Sequence, residues 1–279
     1  MTHPPAEHAV VLLHGWPVTP AHWRGLLPAL RRAGFAPLPV TLPGLGAAPG
    51  DTPDLRKSAL ARGLQEKLAG LGHARFAVIG HDWGGSVAAL LAAAMPEAVS
   101  ALVIEEEILP GVEVDIPAPG ADHYPTWHGP FNRVPGLAEQ LVPGREEAYY
   151  GSFLTQSAGP AGLEPEIHRT YVDAYRTEGV LAAGLGYYRT RSGDLADVGQ
   201  LRRDPISTPV LAIGGRYAMG SAVADGLRTV ATDVRGLVLE QSGHYPVEQE
   251  PETAARAIVE FLSTCGRGET PISGTRHAP

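Results

Sequence analysis

Short, largely apolar runs punctuate the chain at 9–13, 37–41, 75–80, 101–105, 209–213 and 236–240. Their character is that of strands covered on both faces, not of half-exposed strands with strict alternation. Helical periodicity fills the intervals. Pro20 to Leu30 places Trp23, Leu26, Leu27 and Leu30 on one face. Residues 53–69, opened by Thr52-Pro53, carry Leu60, Leu64 and Leu68 four apart. Gly85 to Met95 is rich in Ala and Leu and stops at Pro96. Pro251 to Leu262 is the last helical pattern, and the polar, Gly- and Pro-containing residues after Thr264 read as a disordered tail. Strands alternating with helices predict an α/β fold with a mostly parallel sheet.

Residues 111–204 break that alternation. They show helical patterns at 145–156, 164–178 and 180–191 and no convincing strand. They also hold seven of the nine tyrosines, with Trp127, Phe131 and Phe153. The division this suggests is a core over 1–110 and 205–264, a helical insertion over 111–204, and a tail over 265–279. Most of the insertion's aromatics read as its own core.

Composition narrows the chemistry. At 279 residues, with 44% apolar and 19% charged, the chain fits one α/β domain with an insertion. Its net charge of −8 argues against nucleic acid as a partner. Cys265 is the single cysteine, so no intramolecular disulfide is expected. No His/Cys cluster has metal-ligand spacing, so no metal is expected. The 34 glycines and 26 prolines are spread through the chain, unlike a low-complexity segment. Met1-Thr2-His3-Pro4-Pro5 lacks a basic stretch followed by an apolar core, and no apolar run reaches membrane-spanning length. The expectation is a cytoplasmic protein with a small-molecule substrate and no membrane partner.

The chemistry concentrates at strand ends. Ala77-Val78-Ile79 runs into Gly80-His81-Asp82-Trp83-Gly84, in which small residues flank a sharp turn presenting Asp82. By itself, Asp82 also reads as an N-cap on the following helix. A carboxylate at such a turn needs no deprotonation and attacks carbon by displacement. Val10 to Leu13 ends in His14-Gly15-Trp16-Pro17, one strand-helix-strand unit earlier. Gly236 to Glu240 leads through Gln241-Ser242-Gly243 to His244 and Tyr245-Pro246. Nucleophile first and histidine last is the chain order of a hydrolase triad.

The order of these motifs resembles the α/β-hydrolase superfamily over nearly the whole chain. His-Gly-Trp-Pro and His-Asp-Trp-Gly-Gly look most like its epoxide hydrolase branch, close to haloalkane dehalogenases. The resemblance implies that Asp82 forms a covalent alkyl ester, that a water activated by His244 hydrolyses it, and that no cofactor takes part. It implies an oxyanion and substrate-binding loop at His14, Gly15, Trp16 and Pro17, with backbone N–H groups near Trp16 and Trp83 pointing into the site. It also identifies 111–204 as the family's helical cap. A fluoroacetate-dehalogenase reading is disfavoured, since arginines follow the Asp there and Trp83-Gly84-Gly85-Ser86 follows it here.

The triad acid is less direct. The loop Gly214-Gly215-Arg216-Tyr217-Ala218-Met219-Gly220, where the family usually places it, contains no acid. Glu105-Glu106-Glu107 ends the strand next to the elbow, and alignment of Leu102-Val103-Ile104 with the family favours Glu106, with Glu105 second. For the two donors that the family aims at the epoxide oxygen, Gly186-Tyr187-Tyr188-Arg189 implies Tyr188. Trp127-His128 has no tyrosine at the other place and implies His128, as in one bacterial subgroup. A halide would instead prefer the indole N–H groups of Trp83 and Trp127.

The expected activity is epoxide hydrolysis. Its alternatives are a haloalkane dehalogenase with the same triad, a secondary-metabolism tailoring hydrolase that opens an epoxide with an internal nucleophile or cleaves an amide, and a non-catalytic hydrolase-like receptor. One departure stands out. The family has two further strands before its His-Gly-x-Pro, and here eight residues precede Ala9, so either the first hairpin is lost or the N-terminus is incomplete. An open sheet edge must be shielded, which leaves a homodimer open.

Overall fold

The computed structural model describes residues 8–46 and 54–266. The Thr52-Pro53 cap, the N-terminal five residues and the tail from 267 onward lie outside them. The strands are β1 (His8–Leu13), β2 (Phe35–Val40), β3 (Phe76–His81), β4 (Val99–Glu105), β5 (Val210–Gly215) and β6 (Val234–Leu239). They form one parallel sheet in the order β2-β1-β3-β4-β5-β6.

All six apolar runs are strands, and the reason is visible in their burial. Along β1 and β3, side chains alternate between two separate cores. Val11, Leu13 and Val78 belong to one and Val10, Leu12, Ala77 and Ile79 to the other. Each strand therefore needs an apolar residue at every position. The edge strands β2 and β6 are half-exposed, and their sequences are correspondingly mixed.

Helices cover both faces. Leu26, Leu30, Ile258, Phe261 and Leu262 fill one core, and Leu60, Leu64, Leu68, Val87 and Leu91 enter the other. The expected helix over 20–30 is two pieces, a 3₁₀ segment Pro20–Gly25 and α1 (Leu27–Arg32). Pro28 has no N–H to bond back to the preceding turn, so it is accommodated only where a new helix begins. Then come α2 (Lys57–Gly70) and α3 (Trp83–Ala94), the latter starting at the elbow.

Between β4 and β5 every named element is helical. This stretch holds α4 (Gly120–His123), α5 (His128–Arg133), α6 (Leu137–Leu141), a π turn Glu147–Gly151, α7 (Ser152–Ser157), α8 (Pro165–Ala174), α9 (Val180–Arg189) and α10 (Arg191–Leu201). The core ends with α11 (Ala222–Leu227), α12 (Pro246–Gln249) and α13 (Pro251–Gly266). Among the described residues no helix is long and apolar enough to cross a membrane.

Candidate active site

The site assembles where parallel strands expose their C-terminal ends. Asp82 follows β3, the Trp16 loop follows β1, Glu106 follows β4, and His244 follows β6. Asp82 sits at φ 50° and ψ −129° as the residue opening α3. The turn is that tight because glycine stands at both sides of it. A methyl group at Gly80 would overlap the carbonyl of Gly84, and one at Gly84 would overlap the carbonyl of Leu13. Gly15 brings the Trp16 loop equally close, since a methyl there would collide with the Asp82 side chain.

That approach lets the Trp16 backbone N–H donate to Asp82 Oδ1 at 2.8 Å. His244 Nδ1 lies 2.9 Å from Glu106 Oε2, and its Nε2 lies 3.7 Å from Asp82 Oδ2. Glu106 Oε1 also accepts from the backbone N–H of Gly215 at 2.7 Å and of Met219 at 3.2 Å. The acid-free loop after β5 thus supplies N–H groups where the family usually supplies a carboxylate. Burial opposes the charged form of His244, but Asp82 and Glu106 outweigh it and hold the ring up at about 9. His81 Nε2 supports the same loop, lying 2.8 Å from the carbonyl of His244.

Glu105 faces elsewhere. It pairs with His22 Nε2 at 2.9 Å and accepts from the Val247 N–H at 2.8 Å. Glu107 faces elsewhere again, accepting from the Ser86 hydroxyl. Three consecutive glutamates serve three different partners.

A cavity of about 280 Å³ opens over Asp82, lined by Trp83, Glu107, Tyr124, His128, Tyr188 and Met219 among others. The ring centroids of His128 and Tyr188 are 5.8 Å apart, and both pack on Trp16. Burial draws His128 down to about 4, so near neutral pH the imidazole carries one N–H. Its Nδ1 is buried and has no hydrogen-bond partner among the described residues. Burial, reinforced by Asp82, raises the Tyr188 phenol well above its ordinary value and keeps it protonated as a donor. Trp83 packs edge-on against Tyr188, and the ammonium of Lys57 sits 4.0 Å from the centroid of its ring. Lys57 is fully buried and bonds Asp194 Oδ2 at 2.9 Å.

Two residues singled out from the sequence stand apart from this cavity. Trp127 is exposed, its indole N–H donating to Gln156 Oε1 at 3.2 Å. His14 is buried scaffold, its Nε2 accepting from the Leu42 N–H at 3.2 Å. Conversely, Tyr124 and Lys57 escaped the sequence reading, and Glu107 entered it only as part of the glutamate run, with no role of its own. Tyr124 lies 5.1 Å from the His244 ring, centroid to centroid, closer to the triad than the Trp127 three residues on. Its only sequence signal was its place in the stretch just before Trp127-His128.

Such an elbow on such a sheet defines an α/β-hydrolase. The chain belongs to the alpha/beta hydrolase family, whose description matches residues 10–257. It is 29% identical to the soluble epoxide hydrolase of a Corynebacterium species, over 92% of this chain and 90% of that protein. Epoxide hydrolase A of Mycobacterium tuberculosis is 26% identical, over 93% and 91% of the two chains. Among solved structures, Cfl2 of Burkholderia cenocepacia superposes with a TM-score of 0.83 at 30% identity, over 92% and 89% of the two chains. The protein is a hydrolase with epoxide hydrolases among its relatives.

Proposed function

We propose that the protein hydrolyses epoxides through a covalent ester on Asp82. The observation that carries this reading is the pairing of Asp82 with two kinds of group. Trp16 N–H and His244 flank the carboxylate, and the proton-bearing Tyr188 and His128 line the same cavity. An Asp82 oxygen attacks an oxirane carbon, the carbon–oxygen bond breaks, and the developing alkoxide takes a hydrogen bond and then a proton from Tyr188, with His128 as second donor.

Esterification changes His244. While Asp82 is charged, both carboxylates hold the imidazolium at about 9. The ester carries no charge, so one of the two supports disappears and the ring becomes able to act as base. His244 then takes a proton from water, and the hydroxide adds to the ester carbonyl. The oxyanion meets the Trp16 N–H, with the Trp83 N–H as the second donor. Collapse breaks the ester carbon–oxygen bond, and the departing alkoxide takes the proton that His244 drew from water. The proton that His244 gave up on esterification returns to Tyr188, and the diol leaves with Asp82 restored. Glu106 stabilises the imidazolium throughout.

Haloalkane dehalogenation by the same triad is the second reading. One observation favours it, the Trp83 indole N–H, which has no hydrogen-bond partner among the described residues. The Trp127 N–H is engaged with Gln156 and outside the cavity, which leaves a halide one indole donor instead of two. His244→Gln tests the ester itself. Exposed to an epoxide, this variant accumulates a mass increase on the peptide containing Asp82; normal turnover by the variant contradicts the proposal.

A further inference from the structure

The cavity over Asp82 contains a second carboxyl group. Glu107 lines it, yet the residue is only 5% exposed. Its Oε1 accepts from the Ser86 hydroxyl, and its Oε2 has no hydrogen-bond partner among the described residues. The neighbouring glutamates are fully engaged, Glu105 by His22 and Val247, and Glu106 by His244, Gly215 and Met219. The nearby Lys57 ammonium is likewise bonded to Asp194, Thr190 and the Tyr187 carbonyl, not to Glu107. That oxygen is not sealed off from solvent, so whatever fills the cavity can complete its hydrogen bonding. The free oxygen belongs to a residue that faces the substrate.

Its position is fixed. Glu107 packs over α3 so closely that a methyl group at Gly85 would come within 2.9 Å of its Cβ. Ser86 tethers the other end. Burial and then the charge of Asp82 push the carboxyl well above the ordinary carboxylate range, against the opposing influence of Ser86 and Lys57. Whatever its proton count, the group keeps an oxygen able to accept a hydrogen bond beyond the one from Ser86. Arg133 lines the same cavity, but a hydrocarbon chain reaching Glu107 would leave its free oxygen without a donor. A hydroxyl, which donates and accepts, complements it.

We propose that Glu107 is a specificity-determining residue that hydrogen-bonds a hydroxyl group carried beside the oxirane, so that the preferred substrates are epoxy alcohols. The inference rests on the epoxide reading above. It needs no new chemical step, because Glu107 acts on binding and orientation while Asp82 and His244 carry out the reaction.

The test compares an epoxy alcohol with the epoxyalkane in which its hydroxyl is replaced by methyl, reading the ratio of their kcat/KM values. A site built to bind a hydroxyl rejects an analogue lacking it strongly, so the wild-type ratio should be about 10²-fold or more. Glu107→Leu removes the hydrogen-bonding group, and the ratio should collapse to within about threefold of one, far below the discrimination of a hydrogen-bonding site. Glu107→Gln keeps an N–H and a carbonyl and should retain most of the preference. Should Glu107→Leu fail to fold, Ser86→Ala releases the tether, and KM for the epoxy alcohol should rise more than KM for the epoxyalkane. A wild-type ratio near one overturns the inference, as does a ratio that Glu107→Leu or Ser86→Ala leaves unmoved. A folded wild type that opens neither substrate overturns the epoxide reading itself, and is a different result from opening both without discrimination.

Discussion

Asp82 and Glu106 both have positive φ, of 50° and 52°, and no other described non-glycine residue does. They end adjacent strands, β3 and β4, and their carboxylates flank the two nitrogens of one imidazole. Such conformations cost on the order of 1–3 kcal/mol each and persist where the surroundings over-determine them. At Asp82 the surroundings are the glycines of the elbow, and at Glu106 they are the N–H groups of Gly215 and Met219. The fold places its backbone strain at the two carboxylates that bracket His244.

Glu106→Gln keeps the shape of that arrangement and removes its charge. Turnover should fall by about 10²-fold or more, as expected for an amide that cannot stabilise an imidazolium. Glu105→Gln should lower thermal stability instead, because it weakens the His22 pair, with the smaller effect on turnover. Steady-state kinetics and melting curves of both variants check this, and a larger turnover loss in Glu105→Gln contradicts it.

The donors over Asp82 separate the two activities. Tyr188→Phe should cut epoxide opening by about 10²-fold, the scale of removing one oxyanion donor. His128→Phe should act in the same direction and less strongly. Trp83→Phe should matter most for a haloalkane, while Trp127→Phe should matter for neither substrate, since its N–H faces Gln156. Assays of the four variants on one epoxide and one haloalkane distinguish the readings.

A buried ionic cluster beneath the site sets an alkaline limit on stability. His22 lies 2.9 Å from both Glu105 and Glu248, with Arg24 and Tyr171 on Glu248 and the His81 ring stacked at 4.3 Å. Burial opposes the charged ring, but the two glutamates outweigh it and raise His22 from 6.5 to about 9. A raised folded-state value stabilises fully below about 6.5 and is lost as pH rises through about 9. The wild type should therefore exceed His22→Gln in stability at pH 6.5 by a margin that shrinks toward pH 9, by on the order of 3 kcal/mol. Denaturant titrations across that range measure it, and a constant margin contradicts the account.

How far the sequence carries can be judged from particular residues. The strands are legible because a sheet covered on both faces demands apolar residues at successive positions, as in Val10 to Leu13. The break at Pro28 had a local signal, the missing N–H, that the run of Trp23, Leu26 and Leu30 masked. Short helices such as His128–Arg133, with Gly129 and Pro130 inside, give no periodic signal over fewer than two turns. Asp82, His244 and Glu106 could be singled out because each sits at a strand end in a recognisable order. Glu107 and Lys57 could not, since their meaning comes from Ser86, Trp83 and Asp194, brought together only by folding. Trp127 and Tyr124 show the same limit, because the irregular connection between α4 and α5 decides which ring faces the cavity.

The central claim is that Asp82 bonds to substrate carbon, and the most direct measurement follows the oxygen. In a single turnover in heavy-oxygen water, with enzyme in excess over an epoxide, attack by Asp82 leaves an enzyme oxygen in the diol. Mass spectrometry of the first-turnover product should then show an unlabelled diol and heavy oxygen incorporated into the peptide containing Asp82. A first-turnover diol carrying solvent oxygen, with Asp82 unlabelled, would mean that water attacks the epoxide directly and that no ester forms.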